Sequence, residues 1–112
     1  MHELSITRNI VAIVADAAKG RPVDRVTLEV GRLSGVMSEA IAFCFDVVAK
    51  GTVLEAAQLQ IKEIDGRAQC HDCGEEFDTP DLYTPCPCGS RRFIRLRGEE
   101  LKIKTMELRE VA

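Results

Sequence analysis

The sequence predicts an α+β fold: two helices packed on a three-stranded sheet, with a small module built on four cysteines inserted before the last strand. Three observations carry this reading. Apolar residues recur first at helical spacing, then in alternation, then at helical spacing and in alternation again. A last alternating stretch, Leu101 to Leu108, stands well downstream of the fourth element. Between them, residues 66–98 are poor in apolar side chains and hold four of the five cysteines. A chain of 112 residues, 46% apolar and 29% charged, has room for one small domain with an appendage. The expected division is residues 1–65 plus 99–112 for the α+β domain and residues 66–98 for the insert, which two short connections leave free to hinge.

The first helix is expected from Met1 to Gly20. Leu4, Ile6, Ile10, Ile13, Val14 and Ala17 form its apolar stripe, and Gly20 followed by Pro22 stops it. Arg25 to Leu33 alternates, with Val26, Leu28 and Val30 on one side, as a strand with one buried face. Gly35 marks the following turn. Ser38 reads as the N-cap of a second helix, with Glu39 favoured by the helix dipole and Ile41, Cys44, Val47 and Val48 facing inward, up to Gly51. Leu59 to Ile64 alternates as the next strand. In the last strand Leu101, Ile103 and Thr105 oppose Lys102, Lys104 and Met106, with a slip near its end that predicts a bulge.

The insert reads Cys70-His-Asp-Cys73, twelve further residues, then Cys86-Pro-Cys88-Gly. Two close cysteine pairs on tight turns deliver four thiolates to one tetrahedral Zn²⁺, leaving no open coordination position. The predicted module is therefore a structural zinc-knuckle or zinc-ribbon-like domain with Cys70, Cys73, Cys86 and Cys88 as ligands. The second pair has a single intervening residue, and Pro87 removes a backbone donor there. His71 is the alternative fourth ligand. Disulfides are the other use of paired cysteines. No charged-then-apolar leader precedes the first helix, so a reducing cytoplasm is expected and disulfides are disfavoured. A thioredoxin-like pair would open a helix, whereas an acidic, proline-containing loop follows Cys73.

Met1-His2-Glu3 is a second candidate metal site. A large second residue disfavours removal of Met1, so the α-amine, the His2 amide nitrogen and the His2 ring can close fused chelate rings. Glu3 adds an amide nitrogen or a carboxylate oxygen. Such nitrogen-rich coordination suits Ni(II) or Cu(II) better than Zn(II). The same residues also make an ordinary helix start, with Glu3 near the positive end of the dipole.

Taken together, Met1-His-Glu-Leu-Ser, Gly31-Arg-Leu-Ser-Gly-Val, Ala42-Phe-Cys-Phe-Asp46 and the Cys70…Cys88 motif occur in an order and at intervals that resemble the hydrogenase maturation nickel chaperones, HypA and its paralogue HybF. The resemblance spans essentially the whole chain. It departs at Cys86-Pro-Cys88, where the family usually has Cys-Pro-x-Cys. The resemblance implies a protein without turnover: Ni²⁺ is transient cargo on His2 and Glu3, with the Met1 amine, and Zn²⁺ is structural on the four cysteines. It implies delivery to a HypB-type maturation GTPase, for insertion into the large subunit of [NiFe] hydrogenase or its assembly complex. Self-association is a further expected contact.

Other residues read more plainly. Cys44, between Phe43 and Phe45, is expected as a buried small hydrophobe. Glu39 and Asp46 are expected as solvated helix positions, with extra nickel or partner contacts as the alternative. Arg91, Arg92, Arg95 and Arg97 form a basic cluster, yet residues 66–98 carry five arginines against Asp72, Glu75, Glu76, Asp78 and Asp81. Four thiolates on Zn²⁺ add a further −2, and the whole chain is at −3, so nucleic acid is disfavoured and pairing with the acidic loop is expected. No apolar run approaches a membrane span. There is no Gly-rich phosphate loop and no Ser-His-Asp arrangement, so no enzyme is expected. The competing class is a zinc-ribbon adaptor or nucleic-acid-binding module in which His2 is incidental.

Overall fold

A computed structural model of the chain describes residues 2–110. Its elements run α1 (Glu3–Ala18), β1 (Val23–Gly31), α2 (Ser38–Val48), β2 (Gln58–Ile64), β3 (Arg67–Cys70), β4 (Glu76–Asp78), β5 (Phe93–Arg97) and β6 (Leu101–Leu108). They form two three-stranded sheets, ordered β2-β1-β6 and β4-β3-β5. The fold is the expected α+β arrangement. The insert, however, holds a small antiparallel sheet of its own that apolar patterning does not reveal, because its strands are three to five residues long.

β1 is the central strand of the larger sheet. It pairs parallel to β2 across the α2 crossover and antiparallel to β6. Its Val26, Leu28 and Val30 are buried, as the alternation predicts, and pack with Ile10, Val11, Val14 and Ala18 of α1 and with Ile41 and Phe45 of α2. Leu54, in the turn after α2, is fully buried and completes this core. The slip expected in β6 is a bulge. Thr27 faces Thr105 and Leu28 faces Ile103, so Lys104 is the extra residue and Met106, not Thr105, turns inward.

Three local expectations are corrected. α1 ends at Ala18, with Lys19 in the left-handed region at φ 52° ahead of Gly20. Its buried stripe is Thr7, Ile10, Val11, Val14 and Ala18, while Leu4, Ile13 and Ala17 face outward. The packed stripe is rotated around the helix because Thr7 satisfies its hydroxyl locally, donating to the Glu3 carbonyl at 2.7 Å, and so can be buried. On α2, Phe45 takes the core position expected of Val47, which is 55% exposed. The N-cap of α2 is Met37, not Ser38, and no side chain of its own turn caps it.

The two sheets meet at a neck. Leu33 N–H donates to the Gly98 carbonyl and Gly31 N–H to that of Glu100, each at 2.7 Å, while Thr79 N–H donates to the Gly66 carbonyl at 3.0 Å. A Cβ on Gly98 would lie 2.6 Å from the Gly66 Cα, and a Cβ on Gly31 would overlap the Gly98 carbonyl. Gly98 also has φ 117°, where L side chains are strained. Two backbones crossing this closely tie the insert down far more firmly than two free connections would. The chain is elongated as a result. Its radius of gyration is 17.4 Å, against about 13 Å for a compact chain of this length. Gly98→Ala is expected to lower unfolding stability by ~2 kcal/mol or more, read from urea denaturation; a change below about 0.5 kcal/mol, the usual size for a surface substitution, would refute the tight crossing.

Candidate metal centres

β3 ends on Cys70, and the turn that follows carries Cys73 back beside it. Cys73 N–H reaches Cys70 Sγ at 3.5 Å and Gly74 N–H donates to the Cys70 carbonyl at 3.1 Å. The second turn is closed by Gly89 N–H on the Cys86 carbonyl at 2.7 Å and by Cys86 N–H on the Ser90 carbonyl at 3.0 Å. These turns bring together the four cysteines singled out from the sequence: their sulfurs all lie within 4.8 Å of one another. Cys70 Sγ is 3.7 Å from Cys88 Sγ, and Cys73 Sγ is 3.6 Å from Cys86 Sγ. A tetrahedron with metal–sulfur bonds of ~2.3 Å has edges of about 3.8 Å, so the cradle fits one Zn²⁺. The single-residue spacing of Cys86 and Cys88 does not prevent convergence. His71 stays outside the cluster with its side chain exposed, and none of the cysteines is in a disulfide.

The electrostatics show why this cradle wants a cation. The Cys73 N–H, helped by the Asp72 N–H and neighbouring sulfurs, draws the Cys70 thiol down to about 6. At Cys86 the Cys88 N–H pulls the same way, but burial and three adjacent sulfurs outweigh it and push the thiol up to about 12. Cys73 is raised too: the Glu75 N–H and the Cys86 thiol lower it, and burial with the Cys70 and Cys88 sulfurs prevails. Cys70 thus favours its thiolate while Cys73 and Cys86 resist theirs, an opposition that a divalent ion among the sulfurs would relieve.

At the other end of the molecule, His2 is exposed at the N-cap of α1, its carbonyl accepting the Ile6 N–H at 3.1 Å. The α-amine of Met1, part of the expected chelate, lies outside the described residues. Glu3 does something its sequence position does not announce. Its Oε2 accepts the Met37 N–H at 3.1 Å, tying the start of α1 to the N-terminus of α2. That bond holds the Glu3 carboxyl below the usual carboxylate range. Sequence alone had no signal for it, since the partners are 34 residues apart and Met37 contributes only backbone.

The remaining candidates are dispersed. Glu39 is exposed beside a shallow pocket with Arg32, Met37 and Glu63, and Asp46 lies with Arg25 and Gln58 in a groove between α2 and β2. Cys44 is half-buried rather than in the core. The arginines of the insert do not pair with the acidic loop as a group. Arg91 donates to the Tyr83 carbonyl, Arg92 lies 3.5 Å from Asp72, and Arg95 pairs with Glu99 at 2.7 Å beside the Phe93 ring. It is Arg67, on β3, that binds Glu76 and Asp78.

An α+β protein with a four-cysteine metal module inserted ahead of its last strand is the class that fold and site define. Residues 1–108 match the family described as "Hydrogenase/urease nickel incorporation, metallochaperone, hypA". The hydrogenase maturation factor HypA of Rippkaea orientalis is 54% identical over 99% of this chain and 98% of its own. That of Geobacter metallireducens is 46% identical over 96% and 99%. The solution structure of the Ni metallochaperone HypA from Helicobacter pylori is similar with a TM-score of 0.69 at 25% identity, over 96% of this chain and 97% of that one. The chain belongs to the HypA family of nickel incorporation metallochaperones, whose curated members are named hydrogenase maturation factors.

Two outcomes follow from the geometry of the insert. Its buried cluster is Ala68, Cys70, Phe77 and Cys86, with Phe93 against it, so half of the buried residues are candidate ligands. Cys86→Ser is expected to abolish tight metal binding and to strip amide-exchange protection from β3–β5 while β1 stays protected; equal loss in both sheets would contradict this. Asp81 accepts the Tyr83 and Thr84 N–H groups, each at 2.8 Å, and these bonds lower its pKa. A carboxyl depressed in the folded state contributes above its unfolded value of 3.8 and loses that contribution as pH falls through the lower folded value. Asp81→Ala at neutral pH should therefore lower the protection factors of the Tyr83 and Thr84 amides, each taken against its intrinsic rate, to those the native chain shows once Asp81 is protonated, followed by NMR.

Proposed function

We infer that this chain carries Ni²⁺ on its first three residues and delivers it to the hydrogenase maturation machinery, while Zn²⁺ on Cys70, Cys73, Cys86 and Cys88 holds the insert folded. The observation that carries the reading is the open start of α1 in a chain that matches a nickel-incorporation family along its length. An α-helix leaves its first N–H groups without partners inside the helix. Among the described residues the helix hydrogen bonds start with the Ile6 N–H on the His2 carbonyl, and His2 is exposed just before the helix. The amide nitrogens of His2 and Glu3 can therefore enter a chelate with the Met1 amine and the His2 ring without breaking helix hydrogen bonds. Nitrogen-rich coordination of this kind selects Ni(II) over Zn(II).

In this reading residues 1–65 with 99–112 are the nickel domain and residues 66–98 the zinc domain. Nickel leaves by ligand exchange to a HypB-type GTPase and reaches the hydrogenase large subunit through its assembly complex, in the cytoplasm. Neither metal supports turnover in the chain itself. Self-association, through which two chains would share one nickel sphere, is the companion contact.

Calorimetric titration of Ni(II) into untagged, zinc-loaded protein tests the reading beside His2→Ala and a variant with two residues added before Met1. The native chain is expected to take about one nickel at micromolar affinity, ~−8 kcal/mol, with both variants losing it and keeping zinc. Equal binding by all three would move nickel elsewhere and bring forward the zinc-adaptor reading.

A further inference from the structure

We propose that Asp72 and Ser90 form a clasp that locks the two cysteine turns together and sets how fast the metal leaves. They are positioning residues: neither is a candidate ligand, and each stands beside a pair that supplies two. The proposal rests on the four-cysteine reading of the insert.

Ser90 Oγ donates to Asp72 Oδ2 at 2.5 Å, in the range of a charge-assisted O–H···O⁻ bond. The same Ser90 Oγ accepts the Arg92 N–H at 3.0 Å, which fixes the direction of its own proton. The Arg92 guanidinium lies 3.5 Å from the other Asp72 oxygen, and the Arg92 carbonyl accepts the His71 N–H at 2.8 Å. The bonds to Asp72 and His71 join the turn at 70–73 to the segment 88–92, and the Arg92 N–H on Ser90 Oγ braces that segment within itself. The Ser90 carbonyl also holds the Cys86 N–H, so Ser90 touches both ends of the arrangement.

The need for such a device lies between the turns. Each turn is braced within itself, Cys73 N–H reaching Cys70 Sγ in the first and Gly89 N–H the Cys86 carbonyl in the second, but these bonds do not tie one turn to the other. In the second turn Pro87 occupies the single position between the cysteines and has no N–H to offer. Cys73 and Cys88 are exposed, so the cradle opens to solvent where the two turns face each other. A metal held by four thiolates departs only if some sulfurs move away first, and separating the turns is the motion that moves two at once. The Asp72–Ser90 bond lies across that motion.

The experiment measures zinc release from the full-length zinc-loaded protein to an excess of a chelating dye, by stopped flow. Outer-layer partners of metal ligands change metal affinity by 10–100-fold when removed. Asp72 is 46% exposed, so the lower end applies. Asp72→Ala and Ser90→Ala should each release zinc about tenfold faster than the native chain. The double variant should be no faster than the singles, because either change removes the one shared bond. Ser90→Thr keeps the hydroxyl and should hold zinc nearly as the native chain does. Were Asp72 to act by charge alone, Ser90→Ala would leave release unchanged; that result, or effects that multiply in the double variant, overturns the clasp. Cobalt substitution separates this failure from the other. If the native chain lacks the absorption of tetrahedral cobalt thiolate, the four-cysteine reading falls and the clasp with it. If native and variant proteins share that absorption and release metal at one rate, the clasp alone falls.

Discussion

The insert leaves the larger sheet at the end of β2 and returns at the start of β6, and β1 lies between those two strands. Its two connections therefore have to converge at the end of β1, where Gly31, Gly66 and Gly98 meet with no room for a Cβ. The loop that leaves β1 is held at the same place: Leu33 donates to Gly98, and Arg32 donates through its backbone to Ile64 and pairs through its side chain with Glu63 and Asp65. That loop goes on to Met37, whose N–H binds Glu3. Small residues at one crossing thus fix the approach of the insert and the starting position of α2, and through α2 the start of α1.

Beyond the neck, hydrophobic burial and metal chemistry divide the work. The larger sheet and the helices packed on it share twelve buried apolar residues in one cluster, an adequate core for two helices and three strands. The insert has four, two of them cysteines, with Phe77 and Phe93 packed edge to face at 5.2 Å. So few apolar contacts cannot offset the ordering of some thirty residues. Zinc bound by the four thiolates, as proposed, would provide folding free energy of the needed size, ~10 kcal/mol or more for a structural zinc. The surface ion pairs of Arg67 and Arg95 add little to this, since exposed pairs contribute at most about 1 kcal/mol each.

Regular patterning and local chemistry were legible from residues alone. The alternation of Val26, Leu28 and Val30, the slip in β6 and the meeting of two cysteine pairs each depend on spacing within a short stretch. What was hidden depends on partners distant in sequence. Ser38 has the ideal N-cap side chain, but Met37 has the extended backbone and its carbonyl takes the Ile41 N–H, so α2 starts one residue earlier, where the Met37 N–H is held by a carboxylate 34 residues upstream. Val47 and Phe45 are both apolar and both near the core side of α2, and only the placement of α1 and β1 decides which is buried. The exposed Phe43, at 73%, and Ile13, at 59%, are just as apolar as the core residues beside them. The arginine cluster illustrates the same limit. Charge counting matched it with the acidic loop, whereas the strand register puts Arg67, not the cluster, opposite Asp78.

On the proposed assignment, the two metal sites differ in the property that matters for each. Cys70 and Cys86 are 2% exposed and belong to the only apolar cluster of the insert among the described residues, so loss of their metal costs the local fold. Release of that ion is coupled to unfolding and is slow by construction. The His2 ring and the amide nitrogens of His2 and Glu3 stand at a helix start where only the carbonyls enter the helix hydrogen bonds, so exchanging those nitrogen ligands breaks none of them. A donor must give up its cargo to a partner, and ligand substitution at an exposed chelate needs no unfolding step. One chain can in this way hold one ion for the lifetime of the fold and another only until a better set of ligands arrives.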